Sequence, residues 1–224
     1  MQAIFETLFD IVYLSTVIVL GVWMLRHASG SRQYRLLGLM AVILGCGDAF
    51  HLVPRAVSLC TTGLEAHAAS LGFGKFVTSI TMTIFYVLLY HAWRERYKVA
   101  GRAGLTGAVY VLALLRIGLC LFPQNQWLSY RPPLLWGVLR NIPFAILGLV
   151  IIVLFYQEAK RADDRHFRWM WLAVTLSFGF YIPVVLWAET VPMVGMLMIP
   201  KTCAYVWMVS MGCRAVKAAL PQRA

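Results

Sequence analysis

The sequence predicts an all-α polytopic membrane protein: one domain over residues 1–224 with seven transmembrane helices, its N-terminus outside and its C-terminus cytoplasmic. Three observations predict it. The 224 residues are 61% hydrophobic and 13% charged, with a mean hydropathy of +0.73, beyond the range of an ordinary soluble domain. Apolar runs long enough to cross the hydrocarbon core, which takes about 20 helical residues, recur along the whole chain. The basic residues that lie outside those runs fall mostly on one side, in every second connection and the C-terminal tail.

The first run, Ile4 to Leu25, opens with Glu6 and Asp10 and no basic leader, so a span is expected there and not a cleaved signal peptide. Leu36 to Val53 follows the basic RQYR of residues 32–35 and closes on GCGDAFHLVPR, residues 45–55. Leu71 to Trp93 carries Lys75 near its start, then Thr78, Ser79, Thr81 and Thr83, small hydroxyls of the kind that let membrane helices approach closely. Leu105 to Phe122 contains Arg116. Pro123, Pro132 and Pro133 bracket the next loop, and the proline pair suits the first turn of a helix, where no amide donor is missed. Leu134 to Tyr156 holds Arg140, Asn141 and Pro143. Phe167 to Trp187 follows RHFR, residues 165–168, and contains Pro183. Val191 to Cys213 places Lys201 and Pro200 near its middle. Prolines inside spans free a carbonyl and kink the helix, so three such helices in the second half are expected either to make the bundle enclose space or to be ordinary packing kinks.

Orientation follows from the basic residues, which stay on the cytoplasmic side of short loops. Arg26, Arg32 and Arg35; Arg94, Arg96, Lys98 and Arg102; Lys160, Arg161, Arg165 and Arg168; and Arg214, Lys217 and Arg223 make fourteen on one side, against Arg55 and Arg131 on the other. The net charge of +11 is therefore read as a topology signal in a multi-pass protein of the cell membrane, with the lipid bilayer and not nucleic acid as partner. RQYR and RHFR also open matching spans, and each is followed by a helix with a lysine; a three-plus-one-plus-three repeat would explain this, as would the basic residues expected at any inner helix start. Cys46, Cys60, Cys120, Cys203 and Cys213 show no CxxC pair and no metal-ligand spacing. Cys60 and Cys120 fall near the same surface, close enough in topology to be bridged.

Charged residues inside a span are costly and face a cavity or a partner. Asp48, His51 and Arg55 are spaced i, i+3 and i+7 and so share one helix face. Lys75, Arg116, Arg140 and Lys201 are further cations at depth, while Asp48 is the sole deep acid; Glu6, Asp10 and Glu189 lie toward the outer ends. A positive excess inside an apolar bundle is electrostatically incomplete. It predicts an outward-facing polar pocket that takes an anionic small molecule or lipid head group, since arginine suits phosphate and carboxylate. Tyr181 and Tyr205 would wall it, and His51 would be its titrating member. The opposing expectation is a structural network in which Asp48 pairs with Lys75 or Lys201 and the arginines reach out to head groups.

Three stretches resemble known families. GDAFHLVPR with LGFGKFVTSITMTIFYVLL is similar to two adjacent spans of lysoplasmalogenase-like membrane proteins, and that resemblance implies hydrolysis of a lysolipid vinyl-ether bond with Asp48 as acid or base. His51 near a helix end is similar to alkaline-ceramidase-type hydrolases, whose three histidines hold zinc. Only His51 of the five histidines matches that placement, so the donor set would need Cys46, Asp48 and Cys203 as well. YIPVVLWAET, residues 181–190, and Lys201 resemble the sixth and seventh helices of microbial rhodopsins, which implies retinal held as a Schiff base on Lys201. The third helix has no acid and Leu197 stands four residues before the lysine, leaving Asp48 as the counter-ion. Transporter or sensor, membrane-embedded lipid hydrolase, retinal-binding protein and accessory subunit thus all remain open, with catalytic residues, cofactor and oligomeric state unassigned.

Overall fold

The computed structural model describes residues 2–61, 63–188 and 190–220. Seven helices are long and apolar enough to cross a membrane, and no strand occurs among the described residues. They are α1 (Gln2–Arg26), α2 (Arg32–Cys60), α3 (Ala68–Arg96), α4 (Ala103–Leu121), α5 (Leu134–Arg161), α6 (Met170–Trp187) and α7 (Met198–Ala219), with 3-10 turns at Pro123–Asn125 and Pro192–Leu197. Arg223 and Glu189, which the charge pattern invoked, lie outside the described residues.

The helices close into a ring. α1 touches α2 and α7, α2 touches α3, α5 touches α6, α6 touches α7, and α3 meets α5 directly. α4 packs chiefly on α5 and α3 and turns Val111, Leu114 and Leu115 outward. α3 supplies a large part of the core: Phe85, Tyr86, Leu89, Tyr90 and Trp93 are all buried, with Phe85 meeting Tyr205 of α7 edge to face and Tyr86 meeting Phe144 of α5 and Phe178 of α6. The exterior is apolar, as expected of a surface solvated by lipid and not water.

Three of the boundaries that depart from the sequence reading bear on the packing. α2 continues through Pro54 to Cys60. A proline removes the donor to the carbonyl four residues back, here that of Phe50, and this carbonyl faces Gly74 of α3, where a Cβ would collide with it. The helix survives its missing bond because α3 comes close enough to cover the freed group. α6 starts at Met170, so RHFR forms the turn before it and not its opening. α7 starts at Met198, which puts Pro200 in its first turn, where no kink results. Pro143 and Pro183 are interior, as read from sequence.

The turn before α6 is organised by Asp164. Arg96 donates from Nε and Nη2 to its two carboxylate oxygens at 2.8 and 2.9 Å, Tyr97 Oη donates at 3.2 Å, and the His166 and Phe167 amides donate at 3.1 and 3.4 Å. Burial works to raise the Asp164 carboxyl, but the Arg96 guanidinium and the other donors outweigh it and hold the group below its ordinary value. A depressed folded value means that the stabilisation is present above the ordinary carboxylate range, about pH 4, and is lost as pH falls through the lower folded value. Asp164→Asn should therefore cost about 2 kcal/mol at pH 7, the scale of hydrogen bonds to a charged group. The gap to the unmodified protein should narrow as the pH drops below about 4, read by thermal unfolding in detergent.

All five cysteines are free thiols, and Cys120 is buried while Cys60 is exposed, so the bridge between them is corrected.

Candidate functional site in the bundle core

The site builds around Asp48, in the middle of α2. Gly45 and Gly47 precede it, and both are close-approach positions: a Cβ on Gly45 would strike Ile18 of α1, and one on Gly47 would strike Thr81 of α3. α2 is thus pressed between its neighbours at this level, and Thr78 Oγ1 donates to the Gly47 carbonyl at 3.1 Å. Asp48 meets α1 through Tyr13, whose hydroxyl donates to Oδ2 at 2.6 Å. It also interacts electrostatically with Lys201 of α7, without a direct ion pair between them.

Lys201 is buried, 7% exposed. It stands in the first turn of α7 and not at mid-helix, because the preceding six residues form the 3-10 turn. Its Nζ lies 4.7 Å from the Tyr181 ring centre and 5.2 Å from that of Tyr205. An ammonium between two aromatic faces is held by the ring quadrupoles. Lys201 also interacts across space with Arg116.

Arg116, on α4, is the most unusual group in the molecule. It is 2% exposed, its Nε and Nη1 have no hydrogen-bond partner, and its Cζ lies 3.2 Å above the Phe144 ring. Its electrostatic neighbours are Tyr181, Cys120, Tyr205 and Arg140, none of them a carboxylate. Arg140, on α5, is better supplied: Nη1 donates to Asn125 Oδ1 at 2.8 Å, and Cζ lies 4.2 Å from the Trp127 ring centre. Asn125 is fixed in turn by donating to the Leu119 and Phe122 carbonyls at 2.7 and 2.8 Å. Tyr181 donates to Asn141 Oδ1 at 3.0 Å, and Tyr86 and Ser177 share a hydrogen bond of 3.0 Å.

Of the residues read from sequence, Asp48, Lys201, Arg116, Arg140, Tyr181 and Tyr205 therefore form one continuous cluster. The α2 triad divides. His51 turns to α3, where its Nδ1 donates to the Leu71 carbonyl at 3.4 Å, and Arg55 turns to α1, where Nη2 meets Glu6 Oε2 at 3.0 Å. Lys75 takes an exposed position on α3 and reaches His51 electrostatically. Tyr13, Asn125, Trp127 and Phe144 were not anticipated. A tyrosine nine residues into an apolar run and a phenylalanine beside a proline carry no pattern that marks them. Asn125 and Trp127, in the only long proline-bounded loop, were the two that composition could have flagged.

Among the described residues no three His, Cys, Asp or Glu side chains gather to hold a metal ion. Cys46 and Cys203 are exposed, so the donor set of Cys46, Asp48, His51 and Cys203 does not assemble. Two hollows, of about 290 and 400 Å³, lie at the other end of the bundle, where Lys160, Arg168, Arg94 and Lys98 cluster. No family model, curated protein or solved structure matches this chain.

Proposed function

We propose that the chain is a transporter or sensor of the cell membrane that binds an anionic small molecule or lipid head group within the bundle. Its N-terminus would face outward, on the strength of the fourteen basic residues assigned to the cytoplasmic side. One observation carries this reading: a fully buried guanidinium, Arg116, with two unpaired nitrogens, within electrostatic reach of two further cations, Arg140 and Lys201. Burying one unpaired charge costs several kcal/mol, and a second buried cation, Lys201, with the partly buried Arg140 beside them and a single carboxylate nearby, adds to that cost. An incoming anion would meet the unsatisfied donors and lower that cost. Asp48, His51 and Arg55, the last bound to Glu6, would form the gate between α1, α2 and α3 through which it enters.

Unfolding temperature in detergent tests this with chloride, inorganic phosphate, succinate and a lysophosphatidylglycerol as probes. At least one should stabilise the unmodified protein. Lys201→Ala and Arg140→Ala should lose that response while keeping their helical circular dichroism. An unchanged response in both variants would remove the site.

A second reading has its own support. Lys201 lies between two tyrosines near Asp48, which Tyr13 holds in place, and a lysine with one carboxylate nearby is what a retinal Schiff base and its counter-ion require. Adding retinal to the same preparation separates the two: a visible absorption band lost in Lys201→Ala would favour the chromophore.

A further inference from the structure

Acidic or carbonyl partners account for many of the cations at the basic end of the bundle. Arg32 meets Glu95 at 3.3 Å, Arg96 meets Asp164 at 2.8 Å, and Arg161 lies 3.9 Å from Glu158. Arg94 donates to Thr106 and to the Val99 and Gly101 carbonyls. Other cations there, Lys98 and Arg165 among them, have no carboxylate partner among the described residues, and Lys160 and Arg168 belong with these. Lys160 Nζ lies 4.5 Å from the Tyr156 ring centre, and Arg168 Cζ lies 5.1 Å from that of Trp169. Both line one open hollow of about 290 Å³ between the end of α5 and the start of α6, which Tyr156 and Trp171, whose rings meet edge to face at 5.2 Å, also line.

The chemistry of this hollow is that of a membrane boundary. Trp and Tyr settle at the head-group level of a bilayer, and basic pockets between helix ends take anionic head groups. Tyr156 and Trp169, which line the hollow, are 40% and 42% exposed. An exposed apolar stripe, Ile142, Ile146, Leu149 and Val153, runs along the same face of α5 straight to Tyr156, at the four-and-three spacing of one helix face. The stripe offers an acyl chain a track, and the two cations at its end offer its phosphate a seat. We propose that this hollow binds the phosphate of an anionic phospholipid, with Lys160 and Arg168 on the phosphate and the α5 stripe along one chain. The site is separate from the core cluster and does not depend on it.

The test uses the full chain in detergent, with phosphatidylglycerol or phosphatidylcholine added and bound lipid counted by native mass spectrometry. The unmodified protein should retain phosphatidylglycerol in preference to phosphatidylcholine. The double variant Lys160→Gln, Arg168→Gln should bind phosphatidylglycerol about 25- to 30-fold more weakly, since each surface cation contributes about a fivefold factor toward an anionic lipid. Arg161→Gln, adjacent but outside the hollow, should bind as the unmodified protein does. Equal retention by the double variant would overturn the proposal, as would an equal loss in Arg161→Gln, which would indicate general charge attraction. Inorganic phosphate that competes off the lipid at equal concentration would also overturn it, in favour of a soluble phosphate site.

Discussion

Replacing Arg116 with methionine should make the ligand-free protein more stable, by about 1–3 kcal/mol. Two effects compete. The guanidinium gains a stacking interaction with Phe144, and a desolvated cation–π contact is worth about 2 kcal/mol. Against this stand the several kcal/mol of desolvation that each buried ion retains in real proteins and the repulsion from Arg140 and Lys201. Methionine fills much of the same volume, keeps contact with the aromatic ring and removes both costs. Thermal unfolding in detergent without added anion should rise, and the stabilisation by whichever probe anion binds the unmodified protein should vanish. The combination is the informative result. A residue whose removal improves the fold and abolishes the response is kept for its ligand, because stability alone would have selected against it. If Arg116→Met lowered stability, the guanidinium would be a structural strut and the anion reading would lose its support.

Gly74→Val should have the second large effect, with the opposite sign. A Cβ at Gly74 would run into the Phe50 carbonyl and come within 2.6 Å of the His51 Cα, both backbone atoms of α2. A side-chain obstacle can rotate away; backbone cannot, so α2 and α3 must separate. Overpacking costs about 1–3 kcal/mol, and this site belongs at the top of that range or beyond. Separation would also uncover the Phe50 carbonyl, which Pro54 has already deprived of its helical donor. Lower unfolding temperature and reduced membrane yield are the expected readouts. Gly104→Val offers the comparison, since a Cβ there meets nothing within 4 Å, and it should be tolerated. Equal behaviour of the two would mean that α2 and α3 are not in this contact.

How far the site was legible follows from what kind of information each part needs. Arg116, Arg140, Lys201 and Asp48 announced themselves as charges in apolar runs, because the bilayer admits such residues only when something answers them. Tyr13 could not be found in this way, since a tyrosine in a span has many uses and only the pressing of α1 on α2 at Gly45 shows that its hydroxyl reaches Asp48. The α2 triad misled for a related reason. A shared helix face spans an arc wide enough to touch two neighbours, and His51 and Arg55 turned to α3 and α1 respectively. Lys201 seemed central because hydropathy does not distinguish a 3-10 turn from the helix that follows it.

The number of helices and their approximate limits were determined by the sequence alone, because the length of hydrocarbon to be crossed and the need to satisfy every backbone group leave one solution for each long apolar run. Which helices touch, and so which charges share a space, was decided only in three dimensions. In lipid the apolar surfaces of different helices are nearly equivalent, and neighbours are chosen by small-residue gaps and by a few polar contacts between residues 35 to 91 positions apart. Hydropathy along the chain does not encode such pairings.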